Sequence, residues 1–203
     1  MIVNLVRVTE ALDFFQTSDL VEWRTRVGNA EANRVCNKAL KIGTRLHEII
    51  ASGTFDAAAK DKPEVKNCLA GFLAWMDRYQ VLNDELVTCT RLNDEVIGLT
   101  GEPDMIWIKQ NVLIDLKTSA SIRPTHFFQL GGYHRLGVKA DKLAILRLDK
   151  EIPGHFEYKT NDDMGISIET CVDAFESAFK HYRYYTHIDA VLKGGISVNS
   201  SST

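Results

Sequence analysis

Asp104 follows a proline, and after ten intervening residues the chain reads Asp115-Leu116-Lys117. The stretch between them, MIWIKQNVLI, has the pattern of two short strands joined by a tight turn at Lys109-Gln110-Asn111. Alternate side chains of a strand share a face. Leu113, Asp115 and Lys117 therefore point one way, and Val112, Ile114 and Leu116 the other. On the first strand Asp104 shares a face with Ile106 and Ile108, and Met105 and Trp107 face away. Pairing the strands across that turn brings Asp104 to Asp115, with Lys117 beside them. Two carboxylates and an ammonium amid Val, Ile, Leu and Trp are costly to bury unless something binds them. A divalent cation would.

Other elements must hold this hairpin and complete its surroundings. A helical pattern runs from about Ala30 to Ile50, with Val35, Ala39, Ile42, Leu46, Ile49 and Ile50 at helical spacing and Lys38, Lys41 and Arg45 on other faces. His47 lies four residues after Gly43 on this helix. A helix-interior glycine costs roughly 1 kcal/mol against alanine, so it marks close approach to a neighbour. By itself His47 reads as a packed core histidine. Beyond Lys117, Arg123-Pro124 opens a helix to about Leu136, with Pro124 in its first turn. Gln129 and Tyr133, four apart, share one face of it.

Taken in order, Gly43-Thr44-Arg45-Leu46-His47, Pro103-Asp104, Asp115-Leu116-Lys117 and Gln129 to Tyr133 resemble the GTxxH, PD, DxK and QxxxY motifs of PD-(D/E)XK nucleases, RecB-like and phage-type exonuclease branch. The resemblance spans Gly43 to Tyr133. It implies an α+β fold of the α/β type, with a restriction-endonuclease-like core. A central mixed sheet would be flanked by helices, with an N-terminal helical extension. It further implies a DNA nuclease, expected to be an exonuclease of recombination, repair or phage DNA processing. Asp104 and Asp115 would be the main ligands of one or two Mg²⁺ or Mn²⁺ ions, with a nitrogen from His47 and the carbonyl of Leu116. A carboxylate-rich set suits either ion, and the imidazole favours Mn²⁺. Lys117 would orient water or stabilise charge. Gln129 and Tyr133 would hold either the metal-side network or the scissile strand. The partner expected is DNA, single- or double-stranded, with a second copy of the chain or a recombination protein as a further partner.

Other readings belong to different classes. A non-catalytic DNA-binding or assembly module would keep the fold without the chemistry, against which the intact acidic set argues. A hydrolase of small phosphate esters lacks a phosphate cradle, since no GxGxxG or GxxxxGK[ST] run is present.

The remaining chain bounds these expectations. Its 203 residues suit one domain over 1–193, with a disordered Gly/Ser-rich tail over 194–203. With 24 basic against 27 acidic side chains and a formal net charge of −3, composition gives no support for nucleic-acid binding, so a DNA path must be a local basic stripe. Cys36, Cys68, Cys89 and Cys171 are scattered without a CxxC pair, which argues against a zinc site, a disulfide framework and an iron–sulfur cluster. No leader or membrane span is visible, and a cytoplasmic setting is expected.

Residues 1–8 read as a short strand or an extended arm, Thr9 as an N-cap, and Ser18 as the cap of a segment that Gly28 ends. A loop is expected over Gly53 to Lys62. A helix follows from Pro63 to about Gln80, buried through Val65, Leu69, Phe72, Leu73 and Met76, with Trp75 in the core rather than on a base. The sheet is expected to begin over Asp84 to Thr90, with a turn at Asn93-Asp94 and bulges or close approach at Gly98 and Gly101. Glu85 reads as a solvated strand-end residue or an outer-shell acid. His126 and His134 read as solvent-facing, and Gly131-Gly132 as packed tightly on the sheet. Lys142 to Leu148 and His155 to Lys159 are the last strands, before a helix from about Met164 to Leu192. Its segment KHYRYYTHI reads as amphipathic packing or a base-stacking platform.

Overall fold

The computed structural model describes residues 5–15 and 18–193; the tail expected over 194–203 lies outside them. The chain runs β1 (Val6–Arg7), α1 (Val8–Ala11), α2 (Ser18–Val27), α3 (Asn29–Ser52), α4 (Pro63–Tyr79), β2 (Leu86–Thr88), β3 (Leu92–Asp94), β4 (Leu99–Gly101), β5 (Met105–Trp107), β6 (Val112–Lys117), α5 (Pro124–Arg135), β7 (Lys142–Leu148), β8 (Phe156–Thr160) and α6 (Ile168–Leu192). Short 3₁₀ helices cover Phe55–Lys60 and Asn83–Glu85. The fold is mixed α+β, with a five-stranded sheet ordered β2-β5-β6-β7-β8 and a three-stranded sheet ordered β1-β4-β3. Among the described residues only β6–β7 and β1–β4 are parallel pairs. The β6–β7 pair is joined through α5, the crossover that a parallel pair requires.

The parity read from the sequence sorts β5 and β6 onto two apolar layers. Met105, Trp107, Val112, Ile114 and Leu116 pack with Leu46 and Ile49 of α3 and Phe72 and Trp75 of α4. Leu113 packs with Leu130 of α5 and Phe175 of α6, and Ile106 joins that second layer. Ala144, Leu146 and Leu148 of β7 face the first layer, and Leu143 and Ile145 the second. A strand buried on both faces reads as an unbroken apolar run, as LAIL does.

Several expectations change at this level. Thr9 lies within α1, whose N-cap is Arg7. Val35 and Leu73 are exposed rather than part of the buried stripes of α3 and α4. The alanine run after Gly53 is 3₁₀ helix rather than loop. The run VIGLTGEPDMIWI divides between the two sheets as β4 and β5. The turn before it falls at 95–98, where Gly98 at φ +70° takes the left-handed conformation open to glycine. The last helix starts at Ile168, capped by the Ser167 side chain accepting from the Thr170 N–H. The Gly131-Gly132 pair does pack tightly, but on α6 and α1 rather than on the sheet. A Cβ at Gly131 would lie 2.2 Å from the carbonyl oxygen of Cys171, and one at Gly132 2.7 Å from Val8 and 2.8 Å from Phe175. The pair lets α5 sit on α6 closely enough to press its other face onto β6.

Among the described residues no helix is long and apolar enough to cross a membrane. Tyr184 and Tyr185 are exposed, whereas Tyr182 donates to the Glu10 carboxylate and packs edge-on with Phe14. The KHYRYYTHI segment therefore combines packing with an open aromatic face.

Candidate active site

The β5–β6 hairpin turns at Lys109–Asn111, with Asn111 at φ +48°, a conformation asparagine tolerates better than most residues. Its register pairs Met105 with Ile114 and Trp107 with Val112, so one step further Asp104 stands opposite Asp115. β5 ends there, which leaves the far end of β6 open on that side. The Leu116 N–H fills the gap by donating to Asp104 Oδ2 at 2.7 Å. In a strand the N–H and C=O of one residue point to the same side, so the Leu116 carbonyl also faces the opening beside Asp104.

Asp115 is 1% exposed. Its Oδ1 accepts from Gln129 Nε2 at 2.9 Å, and its Oδ2 meets Lys117 Nζ at 2.5 Å without any well-directed hydrogen bond. Burial pushes this carboxyl up to about 6; Lys117 opposes the rise and Asp104 adds to it. Buried and flanked by a second carboxylate, Asp115 has the Lys117 ammonium as its contacting counter-charge, and its Oδ2 lacks a well-directed hydrogen bond.

His47 reaches the cluster from α3, with Nδ1 2.9 Å from Asp104 Oδ1. Burial, the largest influence, lowers its pKa, but the hydrogen bond and charge of Asp104, with Asp115 behind, more than offset this and hold it above its ordinary value. Gly43, one turn earlier, faces Thr118 just beyond β6, but the close approach expected of this glycine is not seen: a Cβ there would lie 3.7 Å from Thr118 Oγ1, an ordinary contact. His47 is thus a site residue and not a core one.

Gln129 and Tyr133 of α5 are buried beneath the carboxylates, at 9% and 5% exposure. The Gln129 amide has one orientation that satisfies all its neighbours. Its Oε1 accepts from Lys117 Nζ at 3.0 Å, and its Nε2 donates to Asp115 Oδ1 and to the Tyr133 hydroxyl at 2.8 Å. Burial holds the Tyr133 phenol protonated, far above its ordinary range. Of the two roles expected for this pair, the geometry gives support of the carboxylate and ammonium from below, with no access to a strand. Gln129→Ala accordingly lowers melting stability by about 1–3 kcal/mol, because it strips partners from two buried charged groups. Tyr133→Phe removes one hydrogen bond and costs about 1 kcal/mol. Thermal melts of both variants check this; equal effects would contradict the network.

The sequence reading missed three neighbours. His126 is buried at 9% exposure, and its Nδ1 accepts from the Arg123 N–H. Burial, then Lys117 and Arg123, push it down to about 3, so it stays neutral. Its position three residues after the N-cap was the available signal. Arg147 stands beside Lys117 in the β6–β7 register and reaches Glu157, Asp149 and the Ser119 carbonyl, tying down the loop after Lys117. Lys150 lines the cleft above the site. Glu85, by contrast, pairs with Lys109 and Trp107 and belongs to the hairpin rather than the site.

Among the described residues no three His, Cys, Asp or Glu side chains already form a cage for a metal ion. The donor set nonetheless fits a hard divalent cation. It comprises two carboxylates, one imidazole and a backbone carbonyl at one open strand end, with an unsatisfied buried oxygen on Asp115. The contacts His47–Asp104 and Lys117–Asp115 place the protein's own positive groups on those carboxylates.

The cleft over this cluster has a volume of about 820 Å³, with α3 as one wall and the segments around Cys89 and Pro103 as the other. No family model matches the chain, and no curated protein matches it. Among solved structures, the crystal structure of SSO0001 is similar over 87% of this chain and 76% of its own, at 17% identity and a TM-score of 0.42.

Proposed function

We propose that this cluster hydrolyses phosphodiester bonds of DNA with a divalent cation, in the manner of PD-(D/E)XK nucleases. The observation that carries the reading is the buried Asp115 opposite Asp104, two carboxylates at one strand end with His47 and Lys117 in contact with them. DNA as the polymer, and exonucleolytic action in recombination, repair or phage DNA processing, rest on the resemblance of the four motifs.

Asp104, Asp115, His47 and the Leu116 carbonyl would hold Mg²⁺ or Mn²⁺. When bound, such an ion acidifies water and neutralises charge developing on the phosphoryl group. Asp104 Oδ2 is fixed by the Leu116 N–H, so Oδ1, which meets His47 Nδ1, keeps one direction. Gln129 fixes Asp115 and Lys117 together. Lys117, held by two acceptors and 20% exposed, presents its remaining N–H toward the cleft, where it donates to a phosphoryl oxygen or orients the attacking water. The apolar strand faces below exclude solvent and strengthen these interactions.

The test is incubation of end-labelled single- and double-stranded DNA, linear and circular, with Mg²⁺ or Mn²⁺ and with chelator. Metal-dependent cleavage that chelator abolishes is expected. Binding without turnover on every substrate would instead mark a non-catalytic module.

A further inference from the structure

One face of α3 forms a continuous wall of the cleft through Cys36, Leu40, Gly43, Thr44, His47 and Ala51. Residues spaced by three or four lie on one helix face, and fifteen residues at 1.5 Å each make this stripe about 22 Å long. Apart from His47, the largest side chain along it is Leu40, an apolar residue 68% exposed. His47 lies about 16 Å along it from Cys36. The wall is therefore a track that leads to the cluster, longer than one scissile group needs.

Two cations border this track. Arg24 of α2 donates to Asn33 Oδ1 at 3.3 Å and approaches Cys36 Sγ at 3.9 Å, which places its guanidinium at the Cys36 end. Lys150 lines the cleft on the β7 side of the cluster, and its backbone is anchored where Asn67 Nδ2 donates to its carbonyl at 2.8 Å. Among the described residues neither cation meets a carboxylate, unlike Lys38, Arg45 and Arg91 nearby, which pair with Glu64, Asp61 and Glu102. Of the basic edge expected on α3, Lys38 and Arg45 are neutralised and Lys41, among the described residues, is not, and Arg24 and Lys150 add open positive charge at the cleft itself.

We infer that one DNA strand lies along α3, its phosphates held by Arg24 and Lys150 and its bases against the apolar surface at Leu40. The inference rests on the nuclease reading for the identity of the polymer. Two open cations suit a single strand, whose phosphates the cleft meets along one wall. Phosphate contacts set position and give binding its salt dependence, whereas an apolar wall accepts any base.

The experiment is equilibrium binding of a short fluorescein-labelled single-stranded deoxyoligonucleotide by anisotropy, across a salt series, with Ca²⁺ in place of Mg²⁺. Arg24→Gln and Lys150→Gln each weaken binding about tenfold, and each lowers the salt slope by about 1. Leu40→Glu sets a carboxylate midway along the track and weakens binding at least as much, and Leu40→Gln, of the same length without the charge, restores most of it. Lys66→Gln, on the far flank of α4, matches wild type and controls for net charge. Wild-type affinity and slope in Arg24→Gln, Lys150→Gln and Leu40→Glu would overturn the inference, as would absence of binding by the wild type. If the binding pattern holds but the wild type cuts no DNA with any metal, the track stands and the nuclease reading falls.

Discussion

Asp104→Asn and Asp115→Asn each lower DNA cleavage by about 10³-fold, with the protein still folded. The fold survives because each asparagine keeps an oxygen for the hydrogen bond the aspartate accepts, from the Leu116 N–H at Asp104 and from Gln129 at Asp115. What disappears is charge. Each substitution removes a principal ligand and half of the negative potential that attracts a divalent cation. At Asp115 it also sets a neutral amide against Lys117, so the ammonium loses its closest partner. Initial rates on labelled DNA, with circular dichroism melts alongside, make the check. Undiminished metal-dependent cleavage in both variants would remove the carboxylates from the mechanism.

A second large effect is on stability, and it depends on pH. In metal-free protein, Asp115→Asn gains on the wild type as pH rises from about 4 to about 6. The folded state raises the Asp115 carboxyl from 3.8 to about 6, chiefly through burial. A group raised in this way stabilises the fold fully below its unfolded pKa, and that stability is lost as pH rises through the folded value. The interval corresponds to about 3 kcal/mol, and the asparagine variant loses none of it. His126 works in the opposite sense: pushed down to about 3, it stabilises the fold above its ordinary 6.5 and loses that as pH falls. Both proteins share that loss, so it cancels in the difference. Urea unfolding with chelator at stepped pH reads the difference, and a difference that does not change with pH would contradict the burial argument.

The hairpin was legible because a strand's period is two. Once the turn at Lys109–Asn111 is placed, the pairing of Asp104 with Asp115 and the apolar backs of both strands follow from parity alone. The glycine at 43 signalled less than expected, since a Cβ there would make only an ordinary contact with Thr118. Sequence reasoning failed where partners are distant in the chain. Periodicity put Val35 and Ala39 with the core stripe, although the buried stripe against the sheet is Ile42, Leu46, Ile49 and Ile50, Val35 is exposed and Ala39 lines the cleft. The same limit hid the seat of Gly131, which is the Cys171 carbonyl, and the contact of Arg147 with Ser119. His126 looked solvent-facing because a lone histidine near a proline carries no sign of the buried cap it makes. Gln129 and Tyr133 were placed on one helix face correctly, but which way that face looks depends on how α5 is pressed between α6 and β6.

The central claim is that Asp104, Asp115 and His47 form a divalent-cation site, and a Mn²⁺ titration of the purified protein tests it most directly. Wild type is expected to bind Mn²⁺ saturably. His47→Ala should need more metal, and Asp104→Asn and Asp115→Asn should lose about 100-fold or more in affinity. Equal Mn²⁺ affinity in the wild type and both asparagine variants would contradict the account.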